Sequence, residues 1–474
     1  MTSSLKFGTS GLRGLVEDLL GAPAYAYTRA FAATIRENPA FAGAGAAMIG
    51  RDLRASSPEI SALCAQAIAD SGLEPVDCGA VPTPALALAA MSAGLPAVMI
   101  TGSHIPEDRN GLKFYTPRGE IEKADETSIL TRHQAMNFSS APPVTARPRT
   151  HDAATPYKSR YVDFLAPGAL LGLTVGIYQH SSVGRDIICD VLAELGAKPV
   201  ALGRADHFIP VDTEALRPED EELARRWAGE QRLDAIVSTD GDADRPLVAD
   251  ETGTFLRGDL VAALTAKLLG ADVIVTPVTS NSALEGLGLF ARVKRTRVGS
   301  PYVIEGIGEA IAGRARVVVG FEANGGVMLG SDARLDGRTL SALQTRDAML
   351  PILALLALIA REKRPLSAIA GDMGFAVALS NRLQNVPQDR TAAFIAALDS
   401  EDSAFRDNSF AAQGGVASRD RRDGLRLTLG NGSTAHFRAS GNAPELRVYV
   451  EATSRDAAEE LLRFGLAFAR RSVG

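Results

Sequence analysis

Asp240, Asp242 and Asp244 stand two residues apart in Thr239-Asp240-Gly241-Asp242-Ala243-Asp244-Arg245, directly behind the apolar run Leu233 to Ser238. Alternate residues of an extended chain point the same way, so the three carboxylates are expected to aim at one point. Anions that close repel unless a cation sits among them, and an all-oxygen set selects a hard divalent ion, Mg²⁺ before others. A helix–loop–helix calcium site is the rival arrangement, since Glu251 falls at its twelfth position. Against it, Arg245 occupies the place of the turn glycine, and strands flank the loop where helices are required. A solvated acidic turn without an ion is the plainest alternative.

A second polar loop, Thr101-Gly102-Ser103-His104, follows the buried run Ala97-Val98-Met99-Ile100, and Lys113 lies ten residues past the serine. Ligands of open α/β sheets sit beyond the carboxyl ends of strands, which makes this loop a site candidate. If Ser103 carries a phosphoryl group, an oxygen of that group can complete the coordination left open by three aspartates. A divalent ion on a phosphoryl oxygen neutralises charge and leaves phosphorus open to in-line attack. Arg245 adds positive charge against the same phosphate. His104 and Lys113 are in reach to move the proton of the incoming or leaving hydroxyl. The bland reading leaves Ser103 capping a turn, with His104 and Lys113 solvated.

Two more loops offer groups of a different kind. In Gly320-Phe321-Glu322-Ala323-Asn324-Gly325-Gly326, Glu322 and Asn324 present an acceptor and an amide that suit a ring of hydroxyls; otherwise the stretch is an ordinary Asn-Gly turn. In His436-Phe437-Arg438-Ala439-Ser440-Gly441-Asn442-Ala443-Pro444-Glu445-Leu446-Arg447, Arg438 offers a bidentate fork. Ser440 adds a hydroxyl, and the Gly441-Asn442 backbone adds amides, a set suited to a phosphate dianion. A plain hairpin loop would look the same. No Walker loop or dinucleotide glycine pattern follows the first strand.

The elements that must position these loops repeat. Strands at Ala46 to Ile49, Pro75 to Cys78 and Ala97 to Ile100 alternate with helices at Ser57 to Ser71 and Pro84 to Ala93. The pattern restarts with Leu173 to Tyr178, Gly184 to Leu195, Pro199 to Leu202, Pro218 to Gly229 and Leu233 to Ser238. A third round runs from Val273 to Thr276 through Ser282 to Leu287, Val293 to Thr296 and Tyr302 to Ala312 to Arg316 to Val319. Each round ends in one of the polar loops, so units packed side by side can bring the loops into one cleft. Ala141 to Pro156 reads as a linker, and Ser341 to Arg361 as one helix. Alternating strands at Leu425 to Leu429, Thr434 to Phe437 and Leu446 to Glu451, closed by a helix from Arg455 to Arg470, predict a small α+β ending. The expected architecture is three similar mixed-sheet α/β domains plus a smaller C-terminal α+β domain around a central cleft, at 1–145, 156–252, 253–365 and 366–474.

Composition narrows the partners. A net charge of −6 argues against nucleic acid or an anionic membrane. Cys64, Cys78 and Cys189 lack metal-type spacing and fit a reduced, cytoplasmic setting. Met1 to Lys6 lacks the apolar core of a secretion signal, and Met349 to Ala360 is too short to span a bilayer.

Taken together, FGTSGLRG from Phe7, TGSHIPEDRNGLKF from Thr101, TDGDADR from Thr239, GFEANGG from Gly320 and FRASGNAPELRVYVE from Phe437 resemble the α-D-phosphohexomutase family, in its order and over the whole chain. The resemblance implies that Ser103 is a phosphoserine and that Asp240, Asp242 and Asp244 hold Mg²⁺ with it. Arg13, Lys113 and Arg245 would then sit at the reacting phosphate, with His104 supporting proton transfer. Glu322 and Asn324 would face the sugar, and Arg438, Ser440, Gly441, Asn442 and Arg447 would grip the phosphate that does not react. The implied reaction interconverts hexose 1-phosphate and hexose 6-phosphate through a hexose 1,6-bisphosphate, in a monomer or homodimer. Mannose phosphate is the expected sugar and glucose phosphate the alternative; glucosamine phosphate is disfavoured because Ser10 stands where that branch usually has Asp. The pattern departs from the family where Asn324 and Gly326 replace a usual Ser and His, Ser300 a His, Ala439 a Pro and Ala443 a Glu. A phosphatase that loses the phosphoryl group to water, and a non-catalytic sugar-phosphate sensor, are the other classes compatible with the motifs.

Overall fold

The structure, a computed structural model, describes every residue except 1–2, 9–10, 42, 137, 139, 402, 441–443 and 474. The first sheet has eight strands; Ala97–Ile100, Ala46–Arg51 and Glu74–Ala80 form its parallel centre. The second pairs Lys198–Arg204, Thr174–His180 and Ala235–Thr239 in parallel. The third does the same with Arg292–Thr296, Val273–Pro277 and Val318–Phe321. In each, the last parallel strand hands the chain to an antiparallel neighbour: Arg109–Thr116, Pro246–Ala249 and Val327–Leu329. The three polar loops are those reversals, which puts them at equivalent sheet positions.

The strands are apolar on both faces because both faces are covered. Parity decides which side chain goes where. In the first sheet Ala47, Ile49, Val98 and Ile100 pack outward under helices, while Ala46, Met48, Ala97 and Met99 face inward. Ile236 and Val275 lie on the outer faces of the second and third sheets, and Val237 and Ile274 on the inner ones. All three inner faces, with the helix Met349–Glu362, contribute to one continuous apolar cluster. The three units therefore share a core, and their loops are held against one another by it. Local signals set the elements: Thr83–Ala93 has Pro in its first turn and ends at Gly94 with φ 64°, the left-handed conformation that glycine adopts without steric cost.

Residues 377–473 have a core of their own, built from five antiparallel strands and the helices Gln388–Asp399 and Arg455–Val473. Leu366, Ile369 and Met373, just before it, still pack into the shared cluster of the first three units.

Two expectations need correction. The stretch 141–156 is not linker throughout: Arg149–Thr150 adds a parallel strand to the first sheet, and the helix Ala154–Leu165 has already begun. The single helix expected from Ser341 to Arg361 is a strand, Leu343–Asp347, followed by the helix Met349–Glu362. The strand completes the third sheet beside Val327–Leu329, a pairing that local helix propensity could not reveal. No helix among the described residues is long and apolar enough to cross a membrane.

Candidate active site

Ser103 follows a buried strand, has φ 58° and is itself fully buried. A non-glycine residue at positive φ is strained and needs support from its surroundings. Arg54 supplies it. Its guanidinium donates to the carbonyls of Ser103 (3.0 Å), Ile105 (2.6 Å), Pro106 (2.7 Å) and Arg109 (3.0 Å), and to Asp52 Oδ2 (3.2 Å). Thr101 Oγ1 accepts from the Ser103 amide at 2.7 Å. Phe208, from the second unit, covers the guanidinium of Arg54 with its ring centroid 3.8 Å away. Sequence reading missed Arg54; its signal was an Arg in a short polar turn, which is common everywhere.

The aspartates converge, by a route other than strand alternation. Residues 241–245 form a turn, with Ala243 at φ 57° and its amide on the Asp240 carbonyl. The turn lets one carboxylate oxygen from each of the three buried aspartates come within 4.8 Å of the others. Gly241 is required here, because a Cβ would stand 2.7 Å from the Ser103 carbonyl. The serine and the acid loop thus touch: Ser103 Oγ donates to Asp240 Oδ2 at 2.6 Å. Burial, then the neighbouring Asp242 and Asp244, raises the Asp240 pKa well above the usual carboxylate range.

Lys113 is buried rather than solvated, and its Nζ lies 2.6 Å from Asp242 Oδ2 and 2.7 Å from Asp244 Oδ2. Burial opposes ionisation of Asp244, but Arg346, Lys113 and Arg245 outweigh it and hold its carboxyl below the usual range. Asp242 Oδ1 and Asp244 Oδ1 are buried with no hydrogen-bond partner among the described residues. Buried carboxylate oxygens without a donor are unstable as such. An all-oxygen trio with two oxygens unspent has the donor chemistry of a divalent-metal site, and these residues fit such an ion. Glu251 bonds Ser367 instead, away from the trio, which removes the calcium-loop arrangement.

Cations ring the serine. Arg13 Nε and Arg245 Nε are buried and make no hydrogen bond among the described residues, although Arg245 Nε lies 3.7 Å from Asp244 Oδ1; an N–H so placed can still receive an anion. Burial, then Arg245, lowers Arg13 to about 10. Arg245 Nη1 donates to His104 Nδ1 at 3.0 Å, and that same Nδ1 lies 3.2 Å from Ser103 Oγ. With Arg245 donating, Nδ1 is the acceptor and the ring proton sits on Nε2, 3.9 Å from Asp212. Burial, then Arg245 and Arg13, pushes the His104 pKa well below 6.5, so the ring is neutral, with Nδ1 beside both Arg245 and the serine.

The third loop contributes Glu322, whose Oε2 accepts from Arg346 at 3.1 Å. Asn324 spends its Oδ1 on closing the turn to the Gly326 amide at 3.0 Å, so its side-chain NH₂ is what remains for a ligand. In the fourth unit, Arg438 and Arg447 are directly opposed on neighbouring strands. Like charges so placed destabilise a sheet unless an anion lies between them. Arg438 is steadied by Asp423 at 2.8 Å, Arg447 Nε has no partner among the described residues, and Ser440 is buried beside them. Gly441 and Asn442 lie outside the described residues. Arg346, which bridges Asp244 and Glu322, has no local signal, because the apolar residues that follow make its strand read as the start of a helix.

The structure holds a buried serine hydroxyl, a neutral imidazole, an acid trio that fits a divalent ion and two pairs of arginines. Four models of the phosphoglucomutase/phosphomannomutase family match it: alpha/beta/alpha domain I at 4–139, domain II at 159–253, domain III at 257–374 and the C-terminal domain at 383–464. A phosphomannomutase of Sinorhizobium fredii is 49% identical over 472 residues, covering 99% of each chain. One of Salmonella muenchen is 39% identical, over 100% of this chain and 97% of its own. A phosphoglucosamine mutase of Symbiobacterium thermophilum is 32% identical over 94% of each. Among solved structures, a phosphoglucomutase/phosphomannomutase family protein of Burkholderia thailandensis shares the fold with a TM-score of 0.76 at 21% identity, over 98% of both chains. The phosphoglucomutase parafusin of Paramecium, in an open form, scores 0.74 at 16% identity over 98% of this chain and 94% of its own. With all four domains matched in order, and a full-length relative sharing half its residues, the chain belongs to the phosphoglucomutase/phosphomannomutase family.

Proposed function

We propose that the protein is a phosphomannomutase that interconverts mannose 1-phosphate and mannose 6-phosphate through a sugar 1,6-bisphosphate, with Ser103 as the phosphoryl carrier. The observation that carries the reading is the 2.6 Å contact of Ser103 Oγ with Asp240 at the mouth of the acid trio. The mannose preference is supported by the two relatives most alike in sequence among those named above.

Asp240, Asp242 and Asp244 would hold Mg²⁺ together with an oxygen of phosphorylated Ser103. When bound, the ion would neutralise phosphoryl charge and favour in-line attack. The chain's own groups do the rest. Arg13 and Arg245, whose Nε–H groups make no hydrogen bond among the described residues, would bind the transferring phosphoryl. A sugar hydroxyl attacks phosphorus as the bond to Ser103 Oγ breaks. His104, neutral and 3.2 Å from Oγ, takes the hydroxyl proton and returns it to the serine oxygen. Arg438, Arg447 and Ser440, with Gly441 and Asn442, grip the other phosphate. The bisphosphate then turns so that its second phosphate faces Ser103. The free thiols Cys64, Cys78 and Cys189 support a cytoplasmic setting.

Ser103→Ala tests the reading. It is expected to abolish turnover of mannose 1-phosphate while calorimetric binding of the sugar phosphate persists. Undiminished turnover in this variant would remove the assignment. Side-by-side rates on mannose, glucose and glucosamine 1-phosphates settle the sugar, and release of free phosphate would mark a phosphatase.

A further inference from the structure

Thr345, Arg346 and Asp347 are consecutive, polar and fully buried, and each binds a different part of the molecule. Thr345 Oγ1 donates to Glu120 Oε1 of the first domain at 3.3 Å, and the other oxygen of Glu120 accepts from Ser300 at 2.9 Å. Arg346 donates through Nε (3.1 Å) and Nη2 (2.9 Å) to Asp244 Oδ2 of the second domain, and through Nη1 to Glu322 of the third. Asp347 accepts from Tyr157 at 2.6 Å and from Tyr161, both on the helix Ala154–Leu165. Strand geometry sends neighbouring side chains to opposite faces, which lets Arg346 and Asp347 reach in opposite directions. Gly326 is part of the arrangement: a Cβ there would stand 2.9 Å from Arg346 Cδ and 2.9 Å from the Asp244 carbonyl.

A buried guanidinium is stable only where its N–H groups are met by acceptors, and its fork fixes the orientation of whatever it binds. Here one fork holds a carboxylate of the acid trio and a carboxylate of the third loop. We infer that Arg346 is a positioning residue that couples Glu322 to Asp244, so that the seating of Glu322 against the sugar and the orientation of the acid trio beside Ser103 are set together. The inference rests on the proposed hexose-phosphate function. Glu322 Oε2 is engaged by Arg346, and its Oε1 is assigned to a sugar hydroxyl. Without Arg346, Glu322 can rotate, and the buried negative charges of Glu322 and Asp244 lose the cation between them.

The test compares wild type, Arg346→Met, Arg346→Lys, Glu322→Gln and the double variant Glu322→Gln/Arg346→Met. Turnover of mannose 1-phosphate and glucose 1-phosphate is read beside calorimetric affinity for each sugar phosphate without divalent ion. Arg346→Met is expected to lower kcat/KM for the preferred epimer by about ten- to a hundredfold, the range for a lost charged hydrogen bond. Its affinity for sugar phosphate should fall to that of Glu322→Gln. The double variant should be no worse than the poorer single variant, since both changes break one coupled unit. Arg346→Lys keeps the charge without the fork and should recover stability but neither affinity nor turnover. Wild-type affinity and turnover in Arg346→Met, or effects that multiply in the double variant, overturn the inference. If Arg346→Met does not fold, Arg346→Lys is judged by the same readouts. Wild type that turns over no hexose phosphate would instead refute the proposed function.

Discussion

Replacing Arg54 by methionine removes the guanidinium that gathers the serine loop. Arg54 is 1% exposed and donates to four loop carbonyls and to Asp52. Removing one partner of a buried ion pair costs about 3–5 kcal/mol, because the other charge is left stranded. Asp52 keeps Ser57 Oγ at 2.6 Å and Thr101 Oγ1 at 2.8 Å. Burial already pushes its carboxyl pKa up, with Arg54 as the main opposing charge, so protonation can relieve part of the loss. The lower end, about 3 kcal/mol, is therefore expected, which is on the order of 4 °C in melting temperature for a shared core of roughly 370 residues. Asp52→Asn/Arg54→Met should recover about half of that loss, since the stranded charge leaves with its partner. Scanning calorimetry reads the melting temperatures. Transfer of phosphoryl from a sugar bisphosphate to Ser103 reads the loop, and should slow by about a hundredfold when the serine is misplaced by about 1 Å. If Arg54→Met melts with wild type and is phosphorylated at the wild-type rate, the claim that this residue supports the strained serine is wrong.

Three further outcomes follow from the same geometry. Asp242→Asn removes one charge from the acid trio and should weaken Mg²⁺ binding by about tenfold or more, measured by calorimetry without substrate, with the rate falling alongside. Arg447→Met should raise KM for sugar phosphates about ten- to a hundredfold by removing a charged grip on the dianion, while leaving stability unchanged or slightly improved as the opposed pair with Arg438 is relieved. Burial lowers His436 from the usual 6.5 to about 4, with its Nε2 on the Asp423 carbonyl. The unfolded chain then binds the proton first as pH falls. Stability present above pH 6.5 is lost progressively down to about pH 4, by roughly 3 kcal/mol. His436→Gln should lack that share of the acid loss, read as the difference in melting temperature between pH 7 and pH 4.5.

How far the chain could be read in advance depended on whether a feature is local. The doubly covered strands were legible because burial on both faces leaves continuous apolar runs such as Ala97-Val98-Met99-Ile100. The acid trio was legible because three carboxylates within five residues behind an apolar run concentrate negative charge in a way a short stretch displays by itself. The strand Leu343–Asp347 was not: five residues of mixed character abut an apolar helix, and their pairing partner, Val327–Leu329, lies across a hairpin. Arg54, Arg346 and Asp347 look like surface residues by type. What buries them is a set of acceptors from distant segments, and no local pattern encodes that.

Residue types and their order alone determined the repeated α/β units, the polar loop closing each, and the chemistry those loops can support, since periodicity and donor type are properties of short stretches. Tertiary structure decided how the aspartates converge, through a turn with Ala243 at positive φ, and how the serine is held, by Arg54. It also decided that the first three units share one apolar core. That core brings Ser103 to Asp240 across 137 residues of chain. Distances of that kind depend on how sheets pack face to face, and packing is a property of the whole fold rather than of any segment.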